Sequence, residues 1–360
     1  MSEVALERPH AAAGPTDLQV QSYLRSGLRN RWWPIVPSRF VETGGKPMGI
    51  TRLGEALVVW RDAQGEVHVQ TDRCPHRAIP LSRGLNEGDR LRCGYHGVEV
   101  GPDGTVLAVP GQPGCALEGR KAVRTYPSQE VAGAVFVWFG DALNQTPAGF
   151  AAPPELVDPA YSHFLCYADW EMAWRYAYDN LMDPMHGTFL HADSHTMYQG
   201  ETTAHFVTRD TPHGFVFEKQ GQRDVNFDWS ELVDETSLYV RLEIPYPRSG
   251  GPGGNFGIVG YATPADENNL VVFFWRVRKV SGWQRDVWRF LYKTNIEPRH
   301  WKVLEQDRVI LAGLKPGLEK YEMLYQHDAG VIRLRRHLAQ QARKQLADLM
   351  TAGKPIPMTP

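Results

Sequence analysis

Short runs of alternating hydrophobic and polar residues, separated by turn sequences, dominate residues 40–140. The run at 56–60 is followed by the turn Asp62-Ala-Gln-Gly65, and a longer apolar run at 134–139 comes near the end of the region. Such alternation between turns that contain Gly and Asp predicts β-strands. We therefore expect a small all-β domain over 41–150, which ends in a Pro- and Ala-rich linker.

The rest of the chain mixes helical and strand patterns. Residues 170–192 have the spacing of one or two helices, and 204–278 alternate again, as antiparallel strands around a pocket would. The last helical patterns lie at 284–296, 298–314 and 329–349. These elements predict an α+β chain whose second domain spans 151–360, with an N-terminal segment at 1–40 packed on that second domain.

Composition and charge exclude several classes of protein. The chain has 360 residues, a formal net charge of −2 and 42% hydrophobic residues, as in an ordinary globular protein. The charge does not indicate a nucleic-acid partner, and the longest apolar runs are too short to span a membrane. The N-terminus has no secretory signal, so we expect a cytoplasmic protein. Four Cys in so long a chain argue against a disulfide scaffold.

Two of the four Cys lie in the stretch CPHRAIPLSRGLNEGDRLRCGYHG at 74–97. Cys74 and His76 form one pair in it, and Cys93 and His96 form a second. Two such pairs on tight loops suit a single metal centre. A zinc finger usually keeps its two Cys in one pair and its two His in the other, whereas each pair here mixes the two types. The mixed order favours a Rieske [2Fe–2S] cluster, with both Cys on one iron and both His on the other, over zinc.

The same stretch resembles the Rieske domain of the Rieske non-haem iron oxygenases. The resemblance is carried by Asp72-Arg-Cys-Pro-His-Arg77 and by Cys93-Gly-Tyr-His-Gly97. Further upstream, Gly27-Leu-Arg-Asn-Arg-Trp-Trp-Pro34 is similar to the opening of the phthalate, vanillate and dicamba oxygenase group. The resemblance implies the same cluster ligands as the order of the residues does.

Three residues beside the predicted cluster differ from those of respiratory-chain Rieske proteins. Those proteins carry a disulfide between the two loops and a Ser hydroxyl after the second His-Gly. The matching positions here hold Ile79, Tyr95 and Val98. Because hydrogen bonds to the cluster sulfurs raise the reduction potential, we expect a cluster of lower potential that feeds electrons into oxygen chemistry.

A second candidate centre involves residues that are far apart in the sequence. His186 and His191 are five residues apart, and Asp307 lies on an apolar helical stripe that runs to Leu314. A lone buried carboxylate costs several kcal/mol, so a metal, an Arg or a helix N-terminus must pair with it. Side chains five apart differ by about 140° on a regular helix. We therefore expect a local distortion, or a helix that ends near Gly187.

A rival set of residues has more regular spacing. His191 and His195 are four apart, with Asp193 between them as the carboxylate, and the residues alone leave both sets open. The oxygenase resemblance favours His186, His191 and Asp307, which match the family's 2-His-1-carboxylate triad for mononuclear Fe(II).

The resemblance also assigns roles near the first triad residue. Asn180-Leu-Met-Asp-Pro-Met-His186 follows the family motif in order, which supports the triad assignment. In the family, the acid at Asp183 bridges a cluster His and a triad His of neighbouring subunits in a homotrimer. Asn180 is a candidate pocket residue. Asp183 also suits a plainer role, as the cap of a helix beginning at Pro184.

The resemblance implies the terminal oxygenase component of a multicomponent system, with a helix-grip (START-like) catalytic domain over 151–360. O₂ is then the co-substrate. The sequence has no nicotinamide, flavin or plant-type ferredoxin motif, so a separate reductase, with or without a ferredoxin, must pass on electrons from NAD(P)H. By analogy with the group we expect an aromatic substrate, in particular an aromatic carboxylate, and dihydroxylation or monooxygenation. O- or N-demethylation is the alternative.

Other interpretations stay open at this point. Arg241, Arg248 and Arg276 are candidates to hold a substrate carboxylate, although we expect each to face solvent or an acid on a neighbouring strand. The many aromatic residues of 204–278 are more typical of a core than of a pocket. Two hypotheses of another class are a Rieske electron carrier without catalytic iron and a zinc-stabilised binding module.

Overall fold

The computed structural model describes residues 14–144, 146–194, 201–246 and 254–356. Ten short strands build the N-terminal half: β1 (Arg31–Pro37), β2 (Met48–Arg52), β3 (Glu55–Arg61), β4 (Val67–Thr71), β5 (Leu85–Asn86), β6 (Leu91–Arg92), β7 (Glu99–Val100), β8 (Val106–Ala108), β9 (Ser128–Val131) and β10 (Ala134–Phe139). They form three antiparallel sheets, in the orders β1-β10-β9, β2-β3-β4 and β5-β6-β7-β8.

The C-terminal half contains one large antiparallel sheet with helices on one face. Its strands are β11 (Tyr161–Trp170), β12 (Phe206–Thr211), β13 (Gly214–Lys219), β14 (Trp229–Asp234), β15 (Leu238–Tyr246), β16 (Gly254–Pro264) and β17 (Leu270–Lys279). Their order in the sheet is β11-β17-β16-β15-β14-β13-β12.

Seven α-helices accompany these sheets in the described ranges. They are α1 (Asp17–Arg25), α2 (Pro154–Val157), α3 (Trp174–Leu181), α4 (Met185–Leu190), α5 (Gly282–Leu291), α6 (Glu297–Leu311) and α7 (Ala329–Thr351). A π-helical turn at Tyr292–Ile296 joins α5 to α6, and short 3-10 helices lie at Ser38–Phe40, Leu81–Arg83, Leu318–Tyr321 and Gln326–Asp328.

The large sheet is buried on both faces, which explains the continuous hydrophobic run of β17. Val272 and Phe274 belong to the core beneath α3 and α7. Phe273 and Trp275 point the other way and pack in a second core with Trp32 and the residues of β10. A strand that is covered on both sides has no need of polar residues at alternate positions. The β-rich half therefore packs on the back of the sheet, and the helices pack on its front.

The N-terminal residues connect the two halves. Helix α1 packs on α7, β1 pairs with β10, and Trp32 forms a bridge with Ser237 beside β15. Arg31 makes a two-pronged ion pair with Asp234 of β14, with N–O distances of 2.7 and 2.8 Å. The division of the chain at 40 and 150 stays a prediction. Within it, β1 contacts both halves.

The helices near the C-terminus differ in detail from the expected pattern. The predicted helices at 284–296 and 298–314 form one continuous segment, because the π-helical turn bridges them without a break. The apolar stripe of α6 is also shorter than expected. Leu304 and Asp307 are buried, but α6 ends at Leu311 and Leu314 lies beyond it, 37% exposed.

The α+β class is confirmed: an N-terminal β-rich half is followed by a large antiparallel sheet that packs against helices. Among the described residues, none of the helices is both long and apolar enough to span a bilayer.

The Arg31–Asp234 pair leads to a first prediction. Burial alone would raise the pKa of Asp234, but Arg31 and His337 outweigh it and lower that pKa to about 2. A carboxyl whose pKa is lower in the folded state stabilises the fold above its unfolded pKa of about 3.9. That stabilisation is lost as the pH falls through 4 towards 2. We expect Asp234→Asn to lower the free energy of unfolding by about 3 kcal/mol at neutral pH, measured by urea titration.

The same titrations, repeated between pH 5 and pH 2, supply the control. The exposed Asp286 is the site for the matched variant, and Asp286→Asn is expected to follow the wild-type curve. An Asp234→Asn protein as stable as the wild type at neutral pH would contradict a structural role for the pair.

Candidate metal centres

The two Cys–His loops have the same backbone pattern. Each Cys donates its N–H to the carbonyl oxygen five residues later: Cys74 to Ile79 at 2.8 Å and Cys93 to Val98 at 2.9 Å. The fourth residue after each Cys is left-handed, with φ 58° at Ala78 and 73° at Gly97. A non-Gly residue rarely adopts this conformation, so the turn at the first loop is held by its surroundings. The two loops therefore present their ligand pairs in equivalent ways.

The four side chains separate into a buried pair and an exposed pair. Cys74 and Cys93 are each 3% exposed, whereas His76 and His96 lie at the surface with ring centroids 4.7 Å apart. Burial raises the pKa of the Cys74 thiol, and the adjacent Cys93 thiol adds to the rise against the opposing N–H of His76. A Rieske cluster requires this separation, because one iron takes both sulfurs and the other takes both imidazoles.

The same separation argues against a single zinc ion. Within the described part of the chain, only His186, His191 and Asp307 bring three ligand atoms within 4.8 Å of one another. The Cys₂His₂ set thus does not converge on one point, as a tetrahedral zinc site would. All four Cys are free thiols, so no disulfide joins the two loops.

The second candidate centre lies where α4 meets α6. His186 is in the first turn of α4, and His191 is the residue directly after that helix. The helix continues past Gly187 and ends at Leu190; His191 then adopts φ −107° and ψ 22°, outside helical values. This departure brings the two rings to a centroid distance of 5.2 Å despite their five-residue spacing. Asp307, 6% exposed, faces both rings from α6.

Hydrogen bonds orient both imidazoles towards one point. His186 Nδ1 contacts the carbonyl oxygen of Asp183 at 2.5 Å, and His191 Nδ1 contacts Gln306 Oε1 at 3.0 Å. Because both partners are acceptors, each Nδ1 carries the proton and each Nε2 keeps its lone pair. The Nε2 atoms lie 3.5 and 3.0 Å from Asp307 Oδ1.

This geometry fits a mononuclear iron. Two ligand atoms about 2.1 Å from a metal ion are about 3 Å apart when they subtend a right angle. The two N–O distances at Asp307 are close to that value. Two imidazoles and one carboxylate on one side of a point, with an open cavity on the other, form the arrangement that non-haem Fe(II) takes.

Asn180 and Gln306 surround the triad. Asn180 Nδ2 lies 3.4 Å from His186 Nε2 and 3.2 Å from Asp307 Oδ1, so the candidate pocket residue contacts two of the three predicted ligands. No pattern in the sequence pointed to Gln306, because a half-buried Gln in a helix has no spacing that distinguishes it. The one available signal was its position directly before Asp307.

Asp183 lies at the start of α4. Its Oδ1 accepts the N–H of Met185, the first residue of α4, at 2.9 Å, whereas the N-cap position itself is held by Pro184. Its Oδ2 is 3.7 Å from His186 Nδ1. Burial would raise the pKa of Asp183, but the hydrogen bond and charge of His186 lower it overall. In the described part of this single chain, no hydrogen bond joins Asp183 to His76 or His96.

The rival ligand set does not assemble among the described residues. Asp193 is exposed and does not join His191 in a cluster of ligand atoms. His195 lies outside the described residues.

A small cavity of about 40 Å³ borders the triad. Its apolar wall includes Phe227, which precedes β14, and four side chains from the sheet: Leu242, Ile244, Ile258 and Phe274. Phe227 and Phe274 are thus the aromatic residues of 204–278 that line it, and the rest of the expected aromatic stripe is elsewhere in the fold. Arg276 also lines the cavity, contrary to the expectation that it faces solvent or an acid. Arg241 does pair with an acid on the neighbouring strand, Glu231, at 2.8 Å.

Arg248, the third candidate for a substrate carboxylate, lies outside the described residues.

Comparison with known proteins supports both the iron–sulfur site and the triad site. Residues 31–127 match the model of the Rieske [2Fe–2S] domain, and residues 170–344 match the vanillate O-demethylase oxygenase C-terminal domain. The fold and its two ligand clusters thus define a two-domain protein with an iron–sulfur domain and an oxygenase-type domain. The chain belongs to the Rieske non-haem iron oxygenase family, in the group that includes the vanillate and phthalate oxygenases.

Two relatives and one solved structure illustrate the similarity. The chain is 36% identical over 178 residues to the vanillate O-demethylase oxygenase subunit of a Pseudomonas species (strain HR199), covering 46% of each chain. It is 31% identical over 266 residues to the phthalate 4,5-dioxygenase oxygenase subunit of Pseudomonas putida, covering 69% of this chain and 59% of that one. The oxygenase in its reduced complex with ferredoxin, from carbazole 1,9a-dioxygenase, aligns with a TM-score of 0.73 and 19% identity, over 94% and 95% of the two chains.

The chain spans about half the length of the curated relatives it matches. The likeness to the carbazole enzyme is a likeness of fold.

The ligand assignments lead to a test by iron content. Asp307→Ala removes the only charged ligand of the proposed mononuclear site, so we expect iron per chain to fall from about three to about two. The visible spectrum of the cluster should be unchanged. Glu305→Gln, on the exposed side of α6, is the matched control and should keep all of its iron. Loss of the cluster spectrum in Asp307→Ala would contradict two independent centres.

The Gln306 contact predicts a smaller effect on the same site. Gln306→Leu removes the acceptor that orients His191, so we expect the affinity for Fe(II) to fall about 10- to 100-fold. The affinity is measured by competition with a ferrous chelator. An unchanged affinity would show that the contact does not position the ring.

Proposed function

We propose that this protein is the terminal oxygenase of a multicomponent Rieske system that oxidises a small aromatic substrate. The observation that carries the proposal is the combination, in one chain, of a Cys–His site whose imidazoles are exposed and a buried triad next to an apolar cavity. Iron bound at the triad would supply O₂ activation, and the cluster would supply single electrons.

The residues of the chain divide the remaining tasks. Gln306 and the Asp183 carbonyl hold the two imidazoles in the tautomer that leaves Nε2 open. Phe227 and Phe274 exclude water from the cavity and offer flat apolar surfaces to a ring. The apolar lining of the cavity beside the triad suits a small aromatic substrate.

The electrons must come from outside the chain. The predicted cluster has its His side exposed, as a docking site for an electron donor requires. A separate reductase, with or without a ferredoxin, is therefore proposed as the partner. The solved carbazole 1,9a-dioxygenase complex, which contains an oxygenase and a ferredoxin, supports this arrangement by analogy.

A homotrimer is proposed as the working assembly. Asp183 is partly exposed and His76 and His96 are at the surface, so a neighbouring copy can bring a cluster His to the Asp183 carboxylate. Exposed apolar side chains on α5 and α6 suit a contact between copies: Trp283, Phe290 and Ile310 are 60–69% exposed. Asp183 would then link the two centres across the interface.

Two reaction types remain as candidates. Hydroxylation of the ring of an aromatic carboxylate is the first. O-demethylation is the second, and the match of 170–344 to the vanillate O-demethylase domain favours it. In demethylation the methyl C–H takes one oxygen atom of O₂, the second atom leaves as water with two electrons and two protons, and the hemiacetal releases formaldehyde and a phenol.

A single-turnover experiment tests the role of Asp183. Dithionite-reduced protein is mixed with O₂ and 4-methoxybenzoate, and reoxidation of the cluster is followed by stopped-flow absorbance. We expect Asp183→Asn to keep the iron of both centres and to lose most of the fast reoxidation, because its neutral amide replaces the carboxylate link. Asp193→Asn, an exposed acid nearby, is the control and should behave as the wild type.

The products distinguish the candidate reactions. Formation of 4-hydroxybenzoate and formaldehyde indicates demethylation, whereas a hydroxylated ring that keeps its methoxy group indicates ring attack. Wild-type reoxidation rates in Asp183→Asn would remove the link from the account. A wild-type protein that reoxidises without turning over any member of a panel of aromatic acids and ethers would support an electron carrier instead.

A further inference from the structure

Arg276 is a buried cation without an acidic partner. It lies on β17, on the same face as Phe274, and only 3% of its surface is exposed. Its Nε has no hydrogen-bond partner, and its guanidinium forms no ion pair with the acids that the structure describes. The guanidinium carbon lies 5.8 Å from the centroid of the Phe274 ring, which offsets a small part of the cost of burial.

Three other buried arginines of the chain have partners. Arg29 is paired with Glu55, and Arg31 is paired with Asp234. Arg52 donates to the carbonyl oxygens of Ile35 and Thr51, at 2.9 and 2.6 Å. The chain therefore supplies partners to these three buried guanidinium groups, and Arg276, which borders the triad cavity, differs from them.

A buried charge without a partner is costly, and an anion that enters the cavity removes that cost. Arg is the residue best suited to this role, since its planar fork binds carboxylate or sulfonate oxygens with two parallel hydrogen bonds. Asp307, the acid that also lines this cavity, does not fill this role because its carboxylate contacts the two imidazoles. An anionic group of a ligand bound beside the triad would thus supply the missing partner of Arg276.

We propose that Arg276 is the specificity-determining residue of this site and binds the carboxylate or sulfonate group of a small aromatic substrate. The inference rests on the proposed function only in that both use the same cavity. Arg276 projects from the sheet, whereas His186, His191 and Asp307 project from the helical layer. An anion held at the sheet wall directs the rest of the molecule towards the triad, so the anionic group orients the substrate and a different part of the ring reacts.

Binding measurements on the metal-loaded, full-length protein test this inference under anaerobic conditions. Calorimetric titrations with benzoate, benzenesulfonate and benzamide compare two anions with a neutral molecule of similar shape. We expect the wild type to prefer at least one anion over benzamide. In Arg276→Gln the affinity for that anion should fall about 10- to 100-fold, the range expected for losing a charge-assisted hydrogen-bond pair, while the affinity for benzamide stays unchanged.

Arg278→Gln is the matched control, because Arg278 lies two residues away on the same strand, is also buried and packs over Trp288, but does not line the cavity. It should leave all three affinities unchanged. Arg276→Lys keeps the charge without the fork, so it should retain a preference for the anion at reduced affinity, and it replaces Arg276→Gln if that variant fails to fold.

The measured affinities distinguish the possible substrates and can overturn the inference. Preference for benzoate assigns a carboxylate substrate, and preference for benzenesulfonate assigns a sulfonate. The inference is overturned if the wild type binds neither anion more tightly than benzamide, or if Arg276→Gln binds the anions as the wild type does. It is also overturned if Arg278→Gln weakens them equally. Because these affinities need no turnover, a failure of the oxygenase function would leave them unchanged and would appear in the single-turnover experiment instead.

Discussion

The carboxylate of Asp307, buried between two imidazoles, is the interaction on which the rest of the site depends. Its Oδ1 lies 3.0 and 3.5 Å from the Nε2 atoms of His191 and His186, in a region closed off from solvent. A carboxylate in such a place needs positive charge, and both imidazoles have their Nδ1 protons committed elsewhere. A metal ion satisfies all three groups at once. The irregular end of α4 and the length of α6 are the means by which the fold holds them together.

The two candidate centres differ in a way that matches their proposed tasks. The Cys–His loops place the two imidazoles at the surface, where a partner protein can reach them, and bury the sulfurs. The triad lies in the interior beside an apolar cavity, which protects reactive chemistry from water. Between them, the large sheet is covered on both faces, so the β-rich half is fixed on the back of the sheet whose front bears the cavity. Rigid placement of both centres is a requirement for timed electron delivery.

Local motifs were predictable from the sequence, and contacts between distant elements were predictable only in part. The Cys74–His76 and Cys93–His96 pairs identify their loops because the ligand spacing is itself the local signal. Asp307 is 116 residues from His191, and only its place on an apolar stripe suggested burial. Gln306 had no such signal, and Arg276 had only its charge on a predicted strand. The first becomes functional because α6 packs against the end of α4. Arg276 was a candidate to hold a substrate carboxylate but was expected to face solvent or an acid on a neighbouring strand; its burial follows from the pairing of β17 between β11 and β16. The π-helical turn between α5 and α6 was likewise not visible, since it changes the hydrogen-bond pattern without changing the composition.

The presence of two different iron centres in one chain is the central claim of this account. Mössbauer spectroscopy of protein that has been enriched in iron-57 and reduced with dithionite tests it most directly, because each iron reports its own ligands. The account predicts equal amounts of three iron environments: a sulfur-ligated ferric site, a ferrous site with imidazole ligands in the same coupled cluster, and a separate high-spin ferrous site with nitrogen and oxygen ligands. A spectrum that contains the two cluster sites alone would contradict the claim and reduce the protein to an electron carrier.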